Sequence, residues 1–269
     1  MPADAGAAGA ADLDRRFSAL DRLYGVQGAA HIRGAHVLVV GIGGVGSWSA
    51  EALARSGVGR ITLVDLDHIA ESNINRQIHA LDDTVGQAKV DAMAARIVQI
   101  NPVCRVLTID EFVEPGNWSD LLEQAVAALG PVDAVIDACD AAAAKLSMAV
   151  WARDAGTCFV TVGAAGGKRM AHLVEIDDIA LATHDPLLAQ MRQRLRKLHG
   201  APREGRKIGV TCVFSREAVA PPDASCALTD DGDGSLNCHG YGSVVSVTAT
   251  FGQCAAGWVI DRIARGRTL

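Results

Sequence analysis

Two hydrophobic rhythms alternate through the first half of the chain. "HVLVVG", 36 to 41, is a continuous β-rich apolar run, the pattern of a strand buried on both faces. "GVGSWSAEALARSG" follows and reads as a helix closed by Gly57, and "RITLVD" reads as a second strand. Thr84 and Gln87 have the spacing of a capping box. They predict the start of a helix that keeps Val90, Met93, Ala94, Ile97 and Ile100 on one face. "CRVLTID", an amphipathic segment, "VDAVIDA", another helix and "CFVTVG" carry the alternation to residue 163. Strands alternating with helices predict right-handed crossovers and a mainly parallel sheet. The rhythm breaks after that. Residues 177 to 240 hold a basic segment and the loop-like run "PPDASCALTDDGDGSLNCHGYG". No internal repeat and no linker divides the chain. The pattern predicts a disordered tail over 1–14 and one α/β domain over 15–269. That domain has a flexible, basic, loop-rich region at about 185–240 and a C-terminal extension.

The uncharged stretch "VVSVTATFGQCAAGWVI", 244 to 260, also has to be placed. A membrane span needs about 20 mainly apolar residues, and this run is shorter and contains Ser, Thr, Gln and Gly. It is expected to be a buried core helix, with no obligatory membrane partner. The formal net charge of −6 gives no overall attraction to nucleic acid or membrane. There are seven cysteines and no CxxC pair. Without an export signal at the start, this points to reduced thiols in a cytoplasm and to neither a disulfide framework nor a structural zinc.

Chemistry enters with "GIGGVG", which follows the first strand and opens a helix. Glycines at Gly41, Gly43, Gly44 and Gly46 let backbone N–H groups approach an anion, and the helix N-terminus adds partial positive charge. Asp65 ends the second strand about 20 residues on, where a carboxylate can accept from ribose hydroxyls. The next loop, "SNINRQ", is dense with hydrogen-bonding side chains: Ser72, Asn73, Arg76 and Gln77, with Lys89 thirteen residues after Arg76. A dinucleotide needs little cationic help. Arg and Lys beside a glycine turn suit a triphosphate, whose pyrophosphate builds charge as it leaves.

Taken in order, "GIGGVG", "VDLDHIAESNINRQ", "VGQAKV" and "IDACD" resemble the ubiquitin-activating-enzyme-like adenylating family, over roughly residues 15 to 265. The resemblance implies a Rossmann-like, E1/ThiF-type fold that uses ATP and Mg²⁺. It implies that Gly44 and Asp65 hold the adenosine, that Asn73, Arg76 and Lys89 meet the phosphates, and that Asp140 holds Mg²⁺. Asp140 also precedes "AAAAKLSM", the position of a helix N-cap, and the metal role is the one preferred. The same likeness implies a homodimer in which Arg22, in "RRFSALDRLYG", reaches a partner's ATP pocket.

Within the family, "RLYG", "NRQIHAL", "GVTCVFSREAV", "NCHGYG" and "VTATFG" look like the branch that dehydrates threonylcarbamoyladenosine in tRNA. The implied chemistry is attack of a threonine carboxylate on the α-phosphate of ATP, loss of pyrophosphate, then ring closure with loss of AMP. The second step is intramolecular, so no protein nucleophile is required. Two alternatives stay open: adenylation of a carrier protein's C-terminal glycine, and a non-catalytic sulfur-transfer scaffold. Cys238, in "NCHGYG", matches a cysteine that accepts sulfur from a cysteine desulfurase system. Finally, "MRQRLRKLHGAPREGRK" holds seven basic residues against Glu204. Its Arg203, Arg206 and Lys207 are expected to contact RNA, although Leu187, Leu188, Met191, Leu195 and Leu198 also fit a buried helical stripe.

Overall fold

The computed structural model describes residues 11–203, 205–223, 225 and 241–266. Seven strands make one sheet in the order β3-β2-β1-β4-β5-β7-β6. They are β1 (His36–Val40), β2 (Arg60–Val64), β3 (Arg105–Ile109), β4 (Ala134–Asp137), β5 (Cys158–Val162), β6 (Val174–Asp178) and β7 (Thr211–Ser215). Every neighbouring pair is parallel except β6 and β7. β1 lies inside the sheet, between β2 and β4, and all five of its residues are buried, which is why its sequence is apolar without alternation.

Helices cover both faces. α1 (Leu13–Gly34), α2 (Gly46–Arg55), α3 (Lys89–Ile100) and α7 (Val245–Ala264) contribute to one apolar core. α4 (Trp118–Leu129), α5 (Ala142–Ala155) and α6 (Pro186–Leu198) contribute to the other. The chain moves outward from β1 to β2 and β3, then crosses back to β4 on the other side. The strand order therefore reverses between β1 and β4, the switch point beyond whose carboxyl ends open α/β sheets bind ligands.

The uncharged 244–260 stretch is a core helix. Val247, Phe251, Ala255, Ala256 and Val259 of α7 are fully buried, and a Cβ at Gly252 would overlap the Val45 carbonyl at the start of α2. Among the described residues no helix is long and apolar enough to cross a membrane. The expected C-terminal extension is thus part of the core and of the same sheet.

Several expectations are corrected. Thr84 and Gln87 form no capping box. α3 starts at Lys89 with no side-chain cap, because Gly86 turns the chain at φ +86°. The Thr84 oxygen accepts instead from Leu81 N (2.9 Å) while its hydroxyl donates to the His79 carbonyl (2.6 Å), and Gln87 donates to the Asp83 carbonyl (2.9 Å). The N-terminal helix begins before residue 15: Asp12 accepts from Arg15 N and caps α1 at Leu13, while residues 1–10 lie outside the described part. The 185–240 region holds α6 and β7, so its first half is folded. In α6 the buried stripe is Leu188, Met191 and Leu195, whereas Leu198 is 63% exposed: the helix ends there and the apolar face ends with it.

Candidate active site

The glycine turn is bound to the loop that follows β4. Gly41 has φ +83°, and a Cβ there would stand 2.8–2.9 Å from backbone atoms of Ala138 and Cys139. A Cβ at Gly46 would overlap the Gly41 carbonyl. Both positions need glycine because the backbone folds onto itself as it enters α2. Gly43 and Gly44 face a different neighbour. A Cβ on Gly44 would touch Arg76 Cγ and Cδ at 3.3 Å, so the half-buried arginine lies across the turn.

Asp65 braces the turn from below. Its carboxylate accepts from Ile42 N (2.6 Å) and Asp67 N (2.8 Å). Each oxygen keeps a second lone pair, enough for ribose hydroxyls. Burial pushes the Asp65 carboxyl above the ordinary range, opposed by Lys89 and by those two N–H donors. Lys89 is the first residue of α3 and only 6% exposed. This excludes a solvated helix face. Its ammonium donates to Asp67 (2.6 Å) and stands 3.9 Å from Asp65, which offsets the cost of a cation at a helix N-terminus.

The "SNINRQ" loop spends part of its hydrogen-bonding capacity on its own shape. Asn73 is buried and its Oδ1 accepts from Ala70 N (3.0 Å). Asn75 donates to the Ser243 carbonyl (3.1 Å) and accepts from Arg76 (3.0 Å). The Ser72 carbonyl accepts from Arg76 Nη1 (2.6 Å), and Trp48 Nε1 holds the Arg76 carbonyl (2.9 Å). Arg76 has five N–H donors, so its remaining edge is available above the turn. Gln77 Oε1 and both ring nitrogens of His79 are buried without a protein partner. Burial, helped by Lys89 and Arg96, lowers the His79 pKa to about 4.

Asp140 follows β4, on the loop that carries Cys139. It does not cap α5. Ala141 occupies that position and makes no side-chain cap bond. Beneath the loop is a group that sequence reasoning missed. Lys145, fully buried, donates to Asp137 Oδ2 (3.0 Å) and Thr161 Oγ1 (3.1 Å), and Thr161 donates to the same Asp137 oxygen (2.6 Å). Asp137 also accepts from Cys139 N (3.3 Å). A lone lysine in the apolar run "AAAAKLSM" was the available signal. Among the described residues no three His, Cys, Asp or Glu side chains cluster as a metal cage. Magnesium commonly takes one or two carboxylates and completes its shell with phosphate oxygens and water, and Asp140 beside the glycine turn fits that donor set. Burial and Asp137 hold the Cys139 thiol well above its ordinary range, and burial alone pushes Cys104 up to about 12, so neither is a poised nucleophile.

The parallel register brings Gly41, Gly43, Gly44, Gly46, Asp65, Ser72, Asn73, Arg76, Lys89 and Asp140 to one edge of the sheet, at the carboxyl ends of β1, β2 and β4. Arg22 is exposed on α1, and among the described residues it is not hydrogen-bonded to that edge within its own chain. Arg203, Arg206 and Lys207 are not brought there either. α6 starts at this edge, where Asp185 accepts from Ala164 N (2.9 Å) after β5. It then runs to the opposite edge, where Asp178 accepts from Ile208 N and Gly209 N. Thirteen helical residues span about 20 Å. Cys238 lies outside the described residues.

The ThiF family model matches residues 15–265. The chain is 42% identical to the tRNA threonylcarbamoyladenosine dehydratase of Escherichia coli over 256 residues, covering 93% of each. It is 38% identical to that of Haemophilus influenzae, covering 96% of each. The crystal structure of the E. coli dehydratase, TcdA, in complex with ATP superposes with a TM-score of 0.82 at 40% identity, covering 96% of this chain and 99% of that one. With its glycine turn, braced aspartate and arginine-capped loop on a matching frame, the chain belongs to the ThiF family.

Proposed function

We propose that this protein is an ATP-dependent dehydratase of N6-threonylcarbamoyladenosine at position 37 of tRNA, acting through a carboxyl-adenylate and releasing pyrophosphate and AMP. The observation that carries this reading is the edge built by Gly41–Gly46, Asp65, Arg76, Lys89 and Asp140. It joins an anion cradle to fixed cations and a hard carboxylate, and full-length dehydratases share the frame.

Each group has a task in the reading. The Gly43–Gly44 backbone admits phosphate oxygens closely, and Asp65 accepts from the ribose while holding the turn. Arg76, pinned through Ser72 and Trp48, presents its unused N–H groups to the charge that grows on departing pyrophosphate. Lys89 raises the local potential from beneath, and Asn73 and Ser72 hold the loop at its height. Asp140 would hold Mg²⁺, which neutralises phosphate charge when bound. The carboxylate and the ureido nitrogen that closes on it belong to the same nucleoside, so the chain's role in the second step is to orient and to exclude water.

A homodimer is part of the proposal. Gly25 breaks α1 at φ +74°, and the Leu23 and Val26 beside it are 71% and 74% exposed. A second copy would cover that pair and receive Arg22 at its ATP site. A tRNA substrate implies work in the cytoplasm. Sulfur transfer from a desulfurase to Cys238 is not needed for the dehydration.

The test is release of pyrophosphate and AMP from ATP with three candidate acceptors: modified tRNA, unmodified tRNA and a carrier protein ending in glycine. Release with modified tRNA alone, with the cyclic nucleoside found by mass spectrometry after mild work-up, is the expected result. Release with the carrier alone would replace this reading, and no release with any would leave a binding scaffold.

A further inference from the structure

The outer face of α6 has a feature that the nucleotide edge does not use. Ala189, Arg192, Gln193, Arg196 and Lys197 recur at helical spacing and, with Arg203 from the following loop, line an open groove of about 740 Å³. Four of the six lining residues are cations, and no carboxylate lines the groove among the described residues. In a chain with a formal net charge of −6, a one-signed groove is a local exception, since a solvated helix face normally mixes signs.

Two of the cations are already held in place. Arg192 Nη1 donates to the Ile179 and Ala182 carbonyls (3.0 and 2.7 Å), and Arg196 Nε donates to the Pro202 carbonyl (3.1 Å). Those bonds satisfy loop carbonyls, which is one reason the arginines are there. They use only part of each guanidinium, so the remaining donors stand in the groove with little side-chain entropy left to lose. Lys197 and Arg203 form no ion pair in the described structure, and both are exposed.

The groove also has a direction. α6 leaves the nucleotide edge at Asp185 and runs along the sheet, and the nine residues from Ala189 to Lys197 cover about 12 Å. We infer that this groove is the track for the phosphodiester backbone of the tRNA arm whose end presents the reacting nucleoside at the ATP site. This rests on the tRNA reading above and goes further by naming the surface. The contacts are to phosphates, so they set register and affinity without reading base sequence. Arg206 and Lys207 flank the groove without lining it, so Arg203 is the member of the expected basic triplet that belongs to the track.

Lys197→Ala combined with Arg203→Ala tests this, because both side chains are exposed and, among the described residues, neither donates to a backbone carbonyl. Binding of full-length modified tRNA is measured against salt, beside a short anticodon hairpin and beside ATP. The slope of log affinity against log salt should fall by roughly 1.4 to 1.8 for two lost phosphate contacts. Affinity for full-length tRNA and for the hairpin near 0.1 M salt should each drop about tenfold, while ATP affinity stays within about twofold. An unchanged slope with intact ATP binding overturns the inference. A loss with full-length tRNA that the hairpin does not share also overturns it, by moving the contact to another arm. Failure of the unaltered protein to dehydrate modified tRNA would instead overturn the functional reading.

Discussion

Lys145 offers the strictest test of how the adenylation edge is held. Its ammonium is fully buried and bonds Asp137 and Thr161, and Asp137 in turn accepts from the backbone of Cys139. Lys145→Met keeps the volume and removes the charge, leaving a buried carboxylate with its cation gone. Breaking one partner of a buried ion pair costs about 3–5 kcal/mol. For a domain of this size, each kcal/mol lowers Tm by about 2–4 °C, so a fall of about 6–20 °C is expected. Urea unfolding followed by tryptophan fluorescence measures it directly, since Trp118 and Trp151 pack edge to face at 5.3 Å between α4 and α5. Adding Asp137→Asn to Lys145→Met removes the orphaned charge while keeping an acceptor for Thr161 and Cys139 N. The double variant should recover about 2 kcal/mol or more, a coupling of the size expected for groups in contact. A single variant within 1 kcal/mol of the parent would refute the reasoning. So would a double variant no more stable than the single.

Acid sensitivity should report His79. Its folded pKa of about 4 lies below the ordinary 6.5, so the unfolded chain binds more protons between these values. The stability is complete above about pH 6.5 and is lost as pH falls toward 4, by roughly 3 kcal/mol. His79→Phe should flatten that slope relative to the parent; an identical slope would show that another group titrates. At the nucleotide edge, Asp140→Asn and Arg76→Ala should each cut turnover by about a hundredfold or more with little loss of Tm. Near-normal rates at saturating ATP and Mg²⁺ would remove both assignments. If Arg22 acts across a dimer, mixing inactive Arg22→Ala and Arg76→Ala chains should restore part of the activity through one intact composite site. Verified heterodimers with no recovery would place Arg22's role within its own chain.

The hydrophobic pattern alone determined the five parallel strands β1 to β5, the glycine turn and the core character of α7. Each of these depends on nearby residues: a continuous apolar run, glycines where the backbone folds back, a helix too short and too polar for a bilayer. The order of "GIGGVG", Asp65, Arg76, Lys89 and Asp140 was also legible, because these residues follow successive strands, and parallel strands deliver their carboxyl ends to one edge. Only the tertiary structure decided which neighbours each side chain meets. It turned Thr84 away from α3, since Gly86 redirects the chain and the Thr84 oxygen accepts from Leu81 N instead. It buried Lys89 between two aspartates and paired Lys145 with Asp137 across eight residues of sequence and a helix turn. It also separated the basic run from the nucleotide edge. Charge spacing along a sequence carries no information on which end of a helix faces which end of a sheet, and here α6 takes those cations about 20 Å away.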